Sequence, residues 1–318
     1  MGEAEMIRKH SPPVMAIGLL LLAIVLGGNT LSRAESDSTR TNRLFMWASS
    51  GEVRFQDKVA PAKDSLAAMG EKAAKWLARR LDATDARERR TLADIFEKMG
   101  PAGAPPLIPY LDSSGIYMPQ NAARCLGLAK DTSATLPLTR QLDHSYYAVR
   151  SEVATAIGKI NDRRGVAPLL KRLGHEEDSD VRKSCVVALG LLADPQSAGA
   201  LIEALSDPFF GVRQTAIISL GQTKPFPTEA LIESTRTLTG IALHGALVAL
   251  GGSPDSKAQK FLFSKLEDLS PITRAFAVEG LAAHPDKKTL KRVQKMRSKE
   301  TDPFVLAQIT RLEKRFKP

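Results

Sequence analysis

Few residues in this chain have the types and spacing that catalysis requires. The densest candidate is Gly174–Asp180, "GHEEDSD", which gathers His175, Glu176, Glu177, Asp178 and Asp180 in one stretch. Carboxylates and an imidazole this close could hold a hard divalent cation, but EF-hand spacing and its closing glutamate are missing. A solvated acidic loop is the expectation. The five histidines (His10, His144, His175, His244 and His284) are dispersed rather than paired. No G-x-S-x-G, H-E-x-x-H, C-x-x-C or phosphate-binding G-x4-G-K-[ST] occurs, so nucleophile elbow, zinc pair, redox dithiol and nucleotide cradle are all missing. The chain is expected to be non-enzymatic, with no cofactor and no metal, and a small-molecule substrate ranks low among its partners.

The elements that must position any surface are written as a repeat. In "DVRKSCVVALGLLADPQSAGALIEAL", Val181, Cys185, Ala188 and Leu189 share one helical face. Gly190 is expected to stop that helix in a left-handed conformation, and Asp194-Pro195 to start a second one carrying Ala198, Leu201, Ile202 and Leu205. Counterparts of Gly190 stand at Gly70, Gly100, Gly127, Gly158, Gly221 and Gly251, with Ala282 as a degenerate eighth, at intervals of 27 to 32 residues. Val-Arg precedes three of them by nine residues, at Val149-Arg150, Val181-Arg182 and Val212-Arg213. A leucine-rich second helix follows each. A fixed period with helix–turn–helix content predicts an all-α fold, a right-handed α-α superhelix of about eight helix pairs.

"DPFFGVRQTAIISLG" and "DVRKSCVVALGLLADPQSAGALIEAL" resemble short HEAT-like repeats of the kind found in phycobilisome bilin lyases. The resemblance covers residues 61–300 and is strongest over 143–222. It specifies fold better than function, because such repeats serve scaffolds, lyase subunits and nucleic-acid enzymes alike. The repeat containing "TEALIESTRTLTGIALHGALVALG" departs from the pattern. It lacks Val-Arg and has Ser234 where a stripe leucine is expected.

Around the array, residues 1–34 are expected to be a signal peptide or an N-terminal membrane anchor. Arg8 and Lys9 precede the apolar run Val14–Gly28, and Ser32 and Ala34 supply small residues for cleavage. Charge then places the repeats outside the cytoplasm, periplasmic or extracellular. Residues 35–60 are expected to form a polar tether followed by an N-terminal cap that uses Phe45, Met46 and Trp47. Residues 301–318 are expected to be a basic C-terminal capping helix. Cys125 and Cys185 lie two repeats apart, too far for a disulfide, and are expected to be free, buried thiols.

Surface chemistry favours an anionic partner. The net charge is +10, and the tail from Pro285 carries eleven Lys and Arg against four Asp and Glu. Aligning the last leucine of each second helix makes the two preceding positions comparable; seven of the fourteen are basic and only Glu203 is acidic. Arg140, Lys171 and Arg172 stand at mid-array in this row, with Arg236 further along. The resemblance places second helices inside a concave face, where a field would be focused on a ligand. A second row, of aromatics ahead of the first helices, contains Ile116-Tyr117, Tyr146-Tyr147 and Phe209-Phe210. Aromatics at such positions either bind partners or tuck beneath the next repeat. The favoured reading is an exported scaffold for a protein partner, acidic in character. An anionic polymer or membrane surface comes next, and a lyase or chaperone-like subunit or a nucleic-acid binder stands behind.

Overall fold

A computed structural model describes residues 35–316, and every regular element among them is helical. Helix α1 (Asp37–Ala48) leads into eight pairs. They are α2 and α3 (Gln56–Ala68, Glu71–Leu77), then α4 (Ala86–Met99) with a 3-10 partner at Pro105–Asp112. Next come α5 and α6 (Tyr117–Ala129, Thr135–Arg140), and α7 and α8 (Tyr147–Ile160, Val166–Leu173). The pairs α9 and α10 (Ser179–Leu192, Ala198–Glu203) and α11 and α12 (Phe210–Gln222, Thr228–Ser234) follow. Last are α13 and α14 (Gly240–Leu250, Ser256–Lys265) and α15 and α16 (Pro271–Leu281, Lys287–Arg297), with α17 (Pro303–Lys314) after them. This is the expected all-α solenoid. Its apolar run at Val14–Gly28 lies outside the described residues, and no described helix is long and apolar enough to cross a membrane.

Local chemistry explains the pairs. Asp178, Ser270 and Asp302 cap first helices by accepting amides of the opening turn. Between the two helices of three successive pairs, one residue turns left-handed and an aspartate follows: Lys130-Asp131, Asn161-Asp162 and Ala193-Asp194. Each aspartate accepts the amide two residues on and starts a 3-10 turn. Proline density makes the second element of the second pair entirely 3-10, since Pro105, Pro106 and Pro109 cannot donate to an α ladder.

The recurring glycine does something other than the expected termination. Gly190 lies inside α9, and Ala193 adopts the left-handed cap at φ 51°. The glycine is a contact between repeats. A Cβ on Gly158 would lie 2.7 Å from Cα of Ala188, and one on Gly127 would lie 2.7 Å from Cα of Ala156. First helices therefore stack almost backbone to backbone, and they stack more extensively than second helices do. Gly70 and Gly100, by contrast, do take positive φ at helix ends. A single buried cluster runs the length of the array, from Leu44 to Leu312, and includes the Val149, Val181 and Val212 of the Val-Arg pairs.

One end of the array differs from expectation in detail. The polar stretch expected as a tether is helical from Asp37, because Ser36 caps it and Thr41 is buried. Phe45 is 1 % exposed and Trp47 packs beside the core, whereas Met46 points outward. The guanidinium of Arg80 lies 4.8 Å from both the Phe45 and the Trp76 ring, fastening α1 over the first pair. At the other end α17 packs on α15, taking the place of a ninth first helix.

Candidate functional site

The starts of the first helices form one edge of the array, and the exposed apolar residues collect there. Of the fourteen large exposed hydrophobics among the described residues, nine sit at these starts. Tyr117, Tyr146, Tyr147, Phe209 and Phe210 supply the aromatic part, and Ile241, Leu269, Ile272 and Phe304 continue it. Tyr147 is 53 % exposed and Phe210 66 %, so these rings face solvent and are not tucked under a neighbour. Ile241, Leu269, Ile272 and Phe304 belong to this edge although the sequence row held only Ile116-Tyr117, Tyr146-Tyr147 and Phe209-Phe210.

Beneath the rings runs a ladder of arginines, each the fourth residue of its helix. Arg150 Nη1 donates to the carbonyls of His144 (2.9 Å) and Ser145 (3.1 Å), closing its own preceding loop. Its Nε and Nη2 donate to both carboxylate oxygens of Glu176, at 2.9 and 2.8 Å, in the following loop. Arg182 repeats this with the carbonyls of Glu176 and Glu177 and the carboxylate of Asp207. Arg274 repeats it with Asp268 and Leu269 carbonyls and Glu300. Each carboxylate lies two residues before a helix N-cap and also accepts the amide of that N-cap residue. The bidentate fork matches a planar carboxylate, so one rung ties two repeats with charge-assisted bonds. The Arg274 bonds outweigh burial and hold the Glu300 carboxyl at about 2. Burial works to raise the Glu176 carboxyl, yet Arg150, the Asp178 amide and Arg172 bring it below its usual range.

These bonds settle the loop Gly174–Asp180. Glu176 is committed to Arg150 and Arg172, and Asp178 caps α9. Among the described residues no group of three or more His, Cys, Asp or Glu could hold a metal ion. Cys125 and Cys185 are free and buried, and burial pushes both thiols up to about 12.

The basic row on the second helices is only partly available. Arg140, Lys171, Arg172 and His175 do line one shallow groove of about 400 Å³ between successive second helices. Arg172, however, donates through Nε to Glu176 at 2.7 Å and pairs with Asp143 at 3.2 Å. The expectation that it attracts an outside anion is corrected on that ground: its charge is spent within the ladder. Arg236 is exposed but bonded to Glu233 at 2.7 Å, outside this groove. Arg140 and Lys171 are exposed and have no carboxylate partner among the described residues.

Known proteins agree on the architecture. Residues 104–190 and 166–245 match the family described as HEAT repeats. No curated protein matches the chain. Among solved structures, importin beta is similar at 14 % identity and a TM-score of 0.53, over 93 % of this chain and 49 % of that one. The array thus spans about half of importin beta. The CpcE–CpcF complex of phycocyanin lyase from Nostoc sp. is similar at 18 % identity, over 71 % of this chain and 94 % of that one, with a TM-score of 0.41. Human deoxyhypusine hydroxylase is similar at 20 % identity, over 79 % and 98 %, with a TM-score of 0.34. At these identities the likeness concerns the fold alone.

Proposed function

We propose that the chain, whose residues 104–245 match HEAT repeats, is a non-enzymatic scaffold that binds a partner protein along the edge formed by its first-helix starts. The observation that carries this reading is the collection of nine exposed large hydrophobics on that one edge. An apolar surface of this kind, rimmed by polar groups, marks an interaction site, and aromatic anchors provide most of the energy in such interfaces. The partner is acidic in this reading, supported by the net charge of +10. The scaffold works outside the cytoplasm in the same reading, on the support of Arg8, Lys9 and the apolar run at Val14–Gly28.

A photo-crosslinking side chain placed at Phe210 tests the edge in intact cells. It should yield one dominant protein adduct that is not formed from Leu191, which is exposed at the opposite, C-terminal end of α9. Equal adducts from both positions would overturn the assignment. N-terminal sequencing of the mature protein and protease access to intact cells test the location; a cytoplasmic chain retaining Met1 would refute it. One observation favours a second surface: Arg140 and Lys171 share a groove without carboxylate partners among the described residues. If it is the site, the double substitution Arg140→Glu/Lys171→Glu abolishes binding while Phe210→Ser does not.

A further inference from the structure

The ladder is broken once in a way that leaves a binding group prepared. Arg213 is the fourth residue of α11, and its Nη1 donates to the carbonyls of Asp207 (2.7 Å) and Pro208 (2.9 Å). This is the same two-carbonyl clamp that holds Arg150, Arg182 and Arg274. In those three rungs the remaining edge of the guanidinium, Nε with Nη2, grips a carboxylate from two residues before the next N-cap. The N-cap of α13 is Thr239, so that place belongs to Thr237. Threonine is too short and has no charge, and its hydroxyl turns back to the Ser234 carbonyl at 3.2 Å. Among the described residues nothing accepts from Arg213 Nε or Nη2, and nothing accepts from the Thr239 amide. In the complete rungs one carboxylate takes both sets of donors.

We propose that the open rung at Arg213 is a docking site for the carboxylate of an aspartate or glutamate side chain on a partner polypeptide. The three filled rungs show within this molecule which ligand fits: a planar carboxylate, gripped by the guanidinium fork and a helix-start amide. The surroundings suit a polypeptide better than a free anion. Phe210 lies beside the Arg213 guanidinium at 5.8 Å, and Phe209 beside that of Arg182 at 5.4 Å. Both rings are more than half exposed, as is Ile241 in the first turn of α13. An acidic side chain flanked by apolar ones would therefore seat its charge on Arg213 and its neighbours on the rings. Arg89 also lacks a carboxylate, but it donates to a single carbonyl, Thr84, and is held less firmly. The proposal rests on the edge being the docking surface and names the point on it that recognises charge.

Twelve-residue peptides displayed as a random library and selected on the full chain provide the probe. Selected peptides should share one Asp or Glu beside aromatic or aliphatic residues. Their affinity should fall about tenfold or more in Arg213→Gln, the loss expected for a charge-assisted bidentate bond. Thr237→Glu should do the same while raising the melting temperature, because the chain then supplies its own carboxylate and fills the rung. Selection of peptides without a carboxylate, or no selection at all, overturns the proposal. So does undiminished affinity in both variants. If Phe210→Ser abolishes binding while Arg213→Gln and Thr237→Glu leave it intact, the edge stands and the open rung falls. If Phe210→Ser also has no effect, both readings fall.

Discussion

Replacing two glycines that occupy the same place in the repeat should move stability in opposite directions. At Gly158 an added Cβ would lie 2.7 Å from Cα and 2.9 Å from Cβ of Ala188. Carbon atoms settle at about 3.5–4.0 Å, so Gly158→Ala must push α7 and α9 apart by about 1 Å. Overpacking of that kind costs about 1–3 kcal/mol. Removing a glycine from a helix interior returns about 1 kcal/mol. The net is a loss of about 1 kcal/mol, or roughly 2 °C of melting temperature in a chain of this size. At Gly221 no atom outside the glycine's immediate backbone surroundings lies within 4 Å of the added Cβ, so Gly221→Ala should keep only the helical gain. It should be more stable than the parent by about 0.5–1 kcal/mol. Thermal and urea melts followed by circular dichroism would measure both. Two variants that stabilise equally would show that the first helices are not packed backbone to backbone, and the account of the repeat glycine would be wrong.

Four further expectations can be checked together. The Glu300 carboxyl sits at about 2 against an ordinary 4.5, so its stabilisation is complete above about 4.5 and is lost as pH falls toward 2. After allowance for solvent screening this amounts to about 1–2 kcal/mol, and Arg274→Met should remove that part of the acid sensitivity from the melting profile. Phe45→Ala should cost about 3–5 kcal/mol and promote self-association by loosening α1 from the first pair, measurable by melting and analytical ultracentrifugation. If the groove takes any part in binding, Arg140→Glu/Lys171→Glu should weaken it in a salt-dependent way, as the screening length falls from about 10 Å at 0.1 M to about 3 Å at 1 M. Cys125 and Cys185 should resist a thiol reagent in the native protein and react on unfolding, because both are buried and their thiols are pushed up to about 12.

The sequence made the array legible because its causes are local. Glycine, Val-Arg and leucine recur at one spacing, and an aspartate such as Asp194 announces the start of a second helix wherever it occurs. Gly190 does not end its helix as its sequence suggests, because a close approach to Ser219 in the next repeat is a property of two helices, while a cap is a property of one. The ladder was half visible. Asp207 stands 25 residues after Arg182 and Glu176 stands 26 after Arg150, so the pairing was written in the spacing. Arg274 escaped because threonine replaces the valine before it. The spent charge of Arg172 could not be read from composition, since only the fold brings Asp143 within 3.2 Å of it.

The irregular pair α13 and α14 has a consequence for how the molecule comes apart. Leu243 stands where a ladder arginine belongs, so among the described residues Asp268 has no arginine rung, just as Arg213 has no carboxylate. Helices α11 and α13 also stack less extensively than the first-helix pairs at mid-array before them. In a linear array each unit is secured only by its neighbours, and the poorest junction sets the size of the units that open together. Unfolding is therefore expected to proceed as two cooperative blocks that meet between α11 and α13, with amide exchange rising first on both sides of that seam. A polypeptide whose acidic side chain bridges the Arg213 guanidinium and the Thr239 amide would act there as a removable cross-brace, joining the two blocks into one mechanical body for as long as it stays bound.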